Sequence, residues 1–212
     1  MPDLDHLIDN LSQGLKPVRP VSSAAGLTLF AAVALATLLG AMWLWGLSAA
    51  VGDLRPSPMT LMSGGLFFLL GLAGGWTLTR MAQPTIGAQN NGWRWAAGAV
   101  AVLPVAALIL MFASSAAQTG VSLDAGIGCL IRGLVASLAV AAALTWYLRR
   151  GAPLRVHTAS LLVGLTAGAV GAVAVALNCP DDGLAHIGLW HAAIVAVAGA
   201  LGRLSLPPLL RW

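Results

Sequence analysis

The chain has 212 residues, of which 58% are apolar and 8% charged, against roughly 25% charged in soluble domains; its mean hydropathy is +0.87. These figures exclude a soluble globular enzyme, a disordered chain and a secreted disulfide scaffold, and they indicate an all-α polytopic membrane protein. The net charge of +4 does not indicate a nucleic-acid partner, because cations scattered between apolar blocks form no groove or patch.

Residues 3–15 read DLDHLIDNLSQGL. Leu4, Leu7, Ile8, Leu11 and Leu15 recur at helical spacing and form one apolar stripe. Asp3 is placed to cap this helix, and Asp5 lies in its first turn, where an anion favours the dipole. Gly14 weakens the helix, and Lys16-Pro17-Val18-Arg19-Pro20 continues as stiff extended chain. A lone helix of this length is marginal in water and needs a surface to lie on. Its polar face is acidic (Asp3, Asp5, Asp9), which anionic lipid disfavours, so a protein groove fits better than the bilayer surface. Five buried apolar side chains would contribute a gross ~7–15 kcal/mol, less the cost of ordering. The segment shows no cleavable signal pattern. Residues 1–20 are therefore expected to form a retained cytoplasmic binding segment ahead of a membrane domain, residues 21–212.

Six apolar stretches then approach the ~20 residues that a span requires: Ala24–Val51, Met59–Met81, Trp95–Ala117, Gly126–Leu148, Thr158–Leu177 and His186–Leu201. The connections between them are short and hold most of the punctuation: Pro56 and Pro58, Pro84 with Asn90 and Asn91, Arg149–Pro153, and Pro180–Gly183. Pro104 falls mid-span and predicts a bend in the third helix. Gly71 with Gly75, and Gly164 with Gly168 and Gly171, provide small faces for close helix approach. Packing inside one bundle is the first reading of these faces, and a homodimer seam is the second.

Cation placement sets the orientation. With the N-terminus inside, Lys16, Arg19, Arg80, Arg94, Arg149, Arg150, Arg155, Arg203 and Arg211 lie on the cytoplasmic side. Arg55 and Arg132 lie outside, together with Asp53, Asp124, Asp181 and Asp182. The expected topology is a six-helix transmembrane bundle, N-in/C-in. Tryptophans agree with this frame as interfacial anchors: Trp43 and Trp45 at one face, Trp76, Trp93, Trp95 and Trp146 at the other, and Trp190 near the outer face.

The outer end gathers the reactive side chains. Cys129 lies about one turn inside the fourth span, and Cys179 ends the fifth at similar depth. The pair allows a disulfide or half of a metal site. Arg132, three residues after Cys129, shares its helical face; it either lowers the thiol pKa or snorkels to Asp181 or Asp182. His186 and His191 open the sixth span, and cysteine with imidazole suits copper or zinc. An offset of five residues sets the two histidines about 140° apart on a regular helix, so only an irregular helix start would aim both at one ion. His191 with the two cysteines is the expected metal set, and no cofactor is otherwise implied. The spans carry no acidic residue, which argues against a proton-coupled transporter. A single cysteine pair 50 residues apart lacks the Cys-x-x-Cys or second pair that a quinone-linked thiol–disulfide oxidoreductase uses, so that enzyme is the runner-up. A haem or metal transporter is a third reading.

Several features together carry a resemblance. They are the Leu7-Ile8-x-x-Leu11 segment with its Pro17-Val18-Arg19-Pro20 lead-in, and Cys129 in a fourth span that closes on Leu148-Arg-Arg-Gly-Ala-Pro153. A glycine-rich fifth span then ends at Cys179, followed by Asp182 and Trp190-His191, and the chain closes on Leu210-Arg211-Trp212. In these the chain resembles the NrsF type of anti-sigma factor, the negative regulators of sigma-F. These are six-span inner-membrane proteins of proteobacteria that hold an extracytoplasmic-function sigma factor inactive. The resemblance implies a regulator rather than an enzyme, with Cys129 and Cys179 taking part in sensing metal or oxidative stress. It also implies that the segment Leu4–Leu15 holds the sigma factor. Trp190, His191, His186 and Arg132 are accessory candidates.

Overall fold

The computed structural model describes residues 4–13, 21–83, 91–113 and 122–211. Among them the helices are α1 (Leu4–Ser12), α2 (Ser23–Trp45), α3 (Ala49–Gly52), α4 (Pro58–Met81), α5 (Gly92–Ala113), α6 (Leu123–Arg149), α7 (Val156–Asn178), α8 (Leu184–Ser205) and α9 (Pro207–Leu210), with no strand. Six of them, α2, α4, α5, α6, α7 and α8, are long and apolar enough to cross a membrane. Serine starts three of the six. The hydroxyls of Ser22, Ser57 and Ser122 accept the N–H of Ala25, Thr60 and Ala125. Each satisfies one donor that the first helical turn leaves open. Pro58 follows Ser57 at the first helical position, where its missing N–H is harmless.

Helix α7 is the centre of the bundle, with 78% of its span buried, against 11% for α2 and 17% for α5. Its sequence explains the placement. Lipid tails are as apolar as leucine, so helices in a bilayer gain little from hydrophobic burial and associate through close packing. Glycine faces let backbones meet. A Cβ on Gly164 would strike the Ala198 carbonyl and sit 2.8 Å from the Gly199 Cα, and one on Gly168 would sit 2.9 Å from the Val195 Cα. Gly202 returns the contact against the Ser160 carbonyl, and Gly171 abuts the Gly133 carbonyl of α6. The stripe from Gly164 to Gly171 thus fixes α8 on one side and α6 on the other. The Gly71–Gly75 pair is divided: Gly71 faces Val170 and Ala169 of α7, whereas Gly75 receives the Phe30 ring of α2.

One end of the bundle is tied by hydrogen bonds between distant segments, two of them from side chains and one between backbones. Tyr147 Oη donates to the Ser22 carbonyl at 3.1 Å, Gln83 Nε2 to the Val21 carbonyl at 3.4 Å, and the Ala152 amide to the Ala82 carbonyl at 3.0 Å. Arginine–tryptophan pairs rim this same end: Arg80 over Trp76, Arg94 over Trp93 and Arg150 over Trp146, the last at 3.7 Å.

Two sequence expectations change. The stretch Ala24–Val51 is not one helix: Gly46, at φ 75°, ends α2 with its amide on the Met42 carbonyl. The chain restarts as α3 after the Ser48 amide bonds the Leu177 carbonyl. A left-handed residue cannot continue a helix, and glycine takes that conformation without strain. The last span is longer than His186–Leu201, beginning at Leu184 and reaching Ser205. Pro104 lies inside α5, which continues through it. The far end of the third stretch (residues 114–117), Pro84, Asn90, Asp3, Gly14, Lys16–Pro20 and Trp212 lie outside the described residues.

The glycine contacts give a direct stability test. Gly164→Ala should lower the stability of the detergent-solubilised protein by about 1–3 kcal/mol through overpacking against α8. Gly40→Ala, where no atom lies within 4 Å of the added carbon, should leave it unchanged or slightly raised. Reversible unfolding monitored by circular dichroism reads both.

Candidate functional site

At the end opposite the arginine rim, four side chains from three helices converge. Cys129 sits on α6 nearly two turns past its start, and Cys179 caps the end of α7. His186 and His191 lie in the first turns of α8. One ligand atom from each lies within 4.8 Å of every other. The two Sγ atoms are 3.5 Å apart, and Cys179 Sγ is 3.5 Å from His186 Nε2. The imidazole rings meet edge to face, with centroids 5.4 Å apart. Both histidines are only 1% exposed.

The histidine geometry reverses the expectation that the two would point about 140° apart. Residues Ile187–His191 form a π-helical turn. Its i→i+5 bonds stack residues five apart over one another, where an α-helix stacks those four apart. Gly188 and Trp190 seat the turn. A Cβ on Gly188 would lie 2.5 Å from the Leu103 carbonyl oxygen of α5, and the Trp190 indole occupies the space beside Gly126 of α6. Trp190 thus packs as a wedge one turn from Cys129, and its Nε1 is buried without a partner.

His186 has a partner that the sequence did not suggest. Asp181 Oδ2 lies 3.3 Å from His186 Nδ1, and Asp181 Oδ1 accepts the Gly183 amide at 2.9 Å. The carboxylate is held by its own turn and faces the ring nitrogen remote from the cysteines. The contact is electrostatic, since His186 Nδ1 makes no hydrogen bond; a carboxylate at this place could orient the imidazole if the ring carried a metal ion. The Asp-Asp-Gly sequence before the helix was the signal for it. Arg132, by contrast, is exposed on the bundle surface while Cys129 is buried, and among the described residues it makes no ion pair with Asp181 or Asp182. It does not enter the cluster.

Two physical features make the cluster suited to a cation. Both ring nitrogens of His191 are buried without a hydrogen-bond partner, although a buried polar group normally has one. The Cys179 thiol is held well below its ordinary range, chiefly by its hydrogen bond with Cys129; burial opposes this, and His186 and His191 add to the lowering. The cluster therefore offers two thiol sulfurs and imidazole nitrogens in one small space. A tetrahedral centre with metal–sulfur bonds of about 2.3 Å places two sulfurs about 3.8 Å apart, close to the separation here. Both cysteines are free, so the same pair also has the proximity for a disulfide.

The predicted N-terminal site lies elsewhere. In α1, Leu7, Ile8 and Leu11 are exposed; Leu15 and the Leu4 side chain lie outside the described residues.

A family model described as NrsF, negative regulator of sigma F, matches residues 11–212. Among curated proteins, a probable anti-sigma-F factor NrsF from Azospira oryzae is 31% identical over 159 residues, 73% of each chain. No solved structure matches.

If Asp181 orients His186, then Asp181→Asn should weaken binding of a cobalt(II) probe by roughly 10–100-fold. Titration of the purified protein, followed by thiolate-to-cobalt charge-transfer absorbance, measures this. Asp182→Asn, an exposed neighbour, should leave the titration unchanged.

Proposed function

The chain belongs to the NrsF family of negative regulators of sigma F, and on that basis we propose that it is a bacterial inner-membrane anti-sigma factor. It holds an extracytoplasmic-function sigma factor through its N-terminal helix and releases it when the cysteine–histidine cluster captures a soft transition-metal ion. The observation that carries this reading is the convergence of Cys129, Cys179, His186 and His191 within 4.8 Å, at the end of the bundle opposite the arginine–tryptophan rim of Arg80, Arg94 and Arg150. In an N-in/C-in topology the arginine rim faces the cytoplasm and the cluster faces the periplasm. The site then meets extracellular metal while α1 meets the transcription machinery.

The two ends have complementary chemistry for these tasks. Leu7, Ile8 and Leu11 are exposed on a nine-residue helix, a length that is marginal without a partner. Docking them in an apolar groove of the sigma factor would cover them. At the far end, oxidation is a second trigger acting on the same residues. An oxidant that takes two electrons and two protons from the thiols leaves a Cys129–Cys179 disulfide, which removes both sulfur ligands. The competing enzyme reading, a quinone-linked thiol–disulfide oxidoreductase, needs a further dithiol to pass electrons on, and the chain has two cysteines in all.

Affinity capture from the native membrane tests the assignment. The full chain should co-purify with a sigma factor, and a version lacking residues 2–20, or carrying Leu7→Asp with Leu11→Asp, should lose at least tenfold of it. Cys129→Ser with Cys179→Ser should keep the sigma factor bound and remove the response to added metal. Capture of no sigma factor by the full chain would overturn the proposal.

A further inference from the structure

The π-turn has more to explain than the position of two histidines. It lies between the cluster and the long lower part of α8, and it is held from two sides: Gly188 against the Leu103 carbonyl of α5 and Trp190 beside Gly126 of α6. Below it, α8 meets α7 backbone to backbone at Gly164, Gly168 and Gly202. At its end, the Arg203 guanidinium donates to the His157 carbonyl at 3.5 Å, and Leu210 of α9 is buried in the cluster with Phe30, Tyr147 and Leu148. The turn therefore connects the outer site to the end where α2 and α6 are tied together.

A π-turn in an α-helix accommodates one extra residue, and it is rare because its hydrogen-bond ring is less favourable. Here it also buries an imidazole, His191, with neither nitrogen bonded. Both features disfavour this form of the turn unless something binds His191. Ordinary α-helical geometry would rotate His191 out of the cluster by about 100° and shift the helix beyond it by about 1.5 Å per residue. That slip would replace the small residues facing Gly164 and Gly168 with bulkier ones and force α8 away from α7.

We infer that the turn Ile187–His191 is the two-state element of the protein: site occupancy draws His191 in and holds the π form, and loss of the ion lets α8 slip to the α-helical register. The inference rests on the metal reading of the cluster proposed above, and it names the mechanical part that the ion acts on. His186 and His191 are accordingly ligands of the occupied state, and Gly188 and Trp190 are positioning residues for it.

Removing one residue separates the site from its mechanism. Deleting Leu189 takes up the extra residue, so the turn becomes regular α-helix and the two histidines fall four apart, still on one face. The full-length protein is purified with its sigma factor and given cobalt(II) alone, reading charge-transfer absorbance and the fraction of sigma factor retained. The unaltered chain should bind cobalt and release at least tenfold of the sigma factor. The deletion should bind cobalt within about tenfold of the unaltered chain and release none. Release by the deletion equal to that of the unaltered chain, or loss of its cobalt binding, would overturn the inference. Cobalt binding without release by the unaltered chain would instead overturn the metal-triggered reading itself. Hydrogen exchange on the unaltered chain gives a check that needs no variant. Cobalt should slow exchange of the amides of residues 187–195 at least tenfold, and unchanged exchange there would equally sink the two-state turn.

Discussion

The close contact of α7 with its neighbours is the constraint on which the other features depend. In a bilayer there is no water-driven reason for apolar helices to associate, so packing must be dense to be stable. Gly164, Gly168 and Gly171 remove side chains where α8 and α6 cross α7, and the backbones meet directly. That geometry sets the depth of all three helices against one another. Cys179, at the end of α7, then lies beside Cys129 on α6 and the histidines of α8 because the three helix ends are fixed relative to one rigid stripe. A larger residue in the stripe would separate the helices and open the cluster, although the stripe touches none of the four ligands.

The polar groups in the bundle show what is ordinary and what is not. Several buried hydroxyls are satisfied within their own helix: Ser63 on the Met59 carbonyl, Thr77 on Ala73, Thr79 on Trp76 and Ser137 on Leu134. Such bonds cost the fold little and need no partner helix. A few hydroxyls, including Thr145, Ser160 and Thr166, lack partners, but each is a single small group. His191 differs in kind. It is a large polar ring with two unpartnered nitrogens, placed where a thiol pair and a second imidazole converge. The larger unpartnered polar side chains, His186, His191 and Trp190, lie together at this end of the bundle.

Much of this was readable in the sequence. Six spans follow from composition, because 20-residue apolar blocks have few other uses, and the common depth of Cys129 and Cys179 follows from counting residues from the loop between their helices. The leucine stripe of α1 follows from spacing. What escaped the sequence was register and partnership. Histidines five apart read as divergent on a regular helix, and nothing in Ile187–His191 announces a π-turn, since the turn is imposed by the contacts of Gly188 with α5 and Trp190 with α6. Asp181 and Asp182 were each open as a partner for Arg132, because opposite charges at one depth suggest a pair. The backbone instead turns Asp181 towards His186 through the Gly183 amide. The break at Gly46 was hidden because glycine in an apolar run is as common inside a membrane helix as at its end.

The energetics of such a sensor are set by a difference and not by an affinity. Moving a two-state population from about 1:99 to 99:1 requires an ion to prefer one state by roughly 10⁴-fold, about 5.5 kcal/mol. Four-ligand cysteine–histidine sites in small zinc proteins bind with about 10–16 kcal/mol, so total binding energy is not limiting. An ion held equally well in both states would shift nothing. The cysteines alone offer no such preference, because Cys129 and Cys179 are fixed by the same glycine-packed helices in either state. On the proposed reading the histidine delivered by the π-turn does, since it would be a ligand in one register and out of reach in the other. The coupling therefore depends less on how tightly the thiols bind than on whether the turn can withdraw His191.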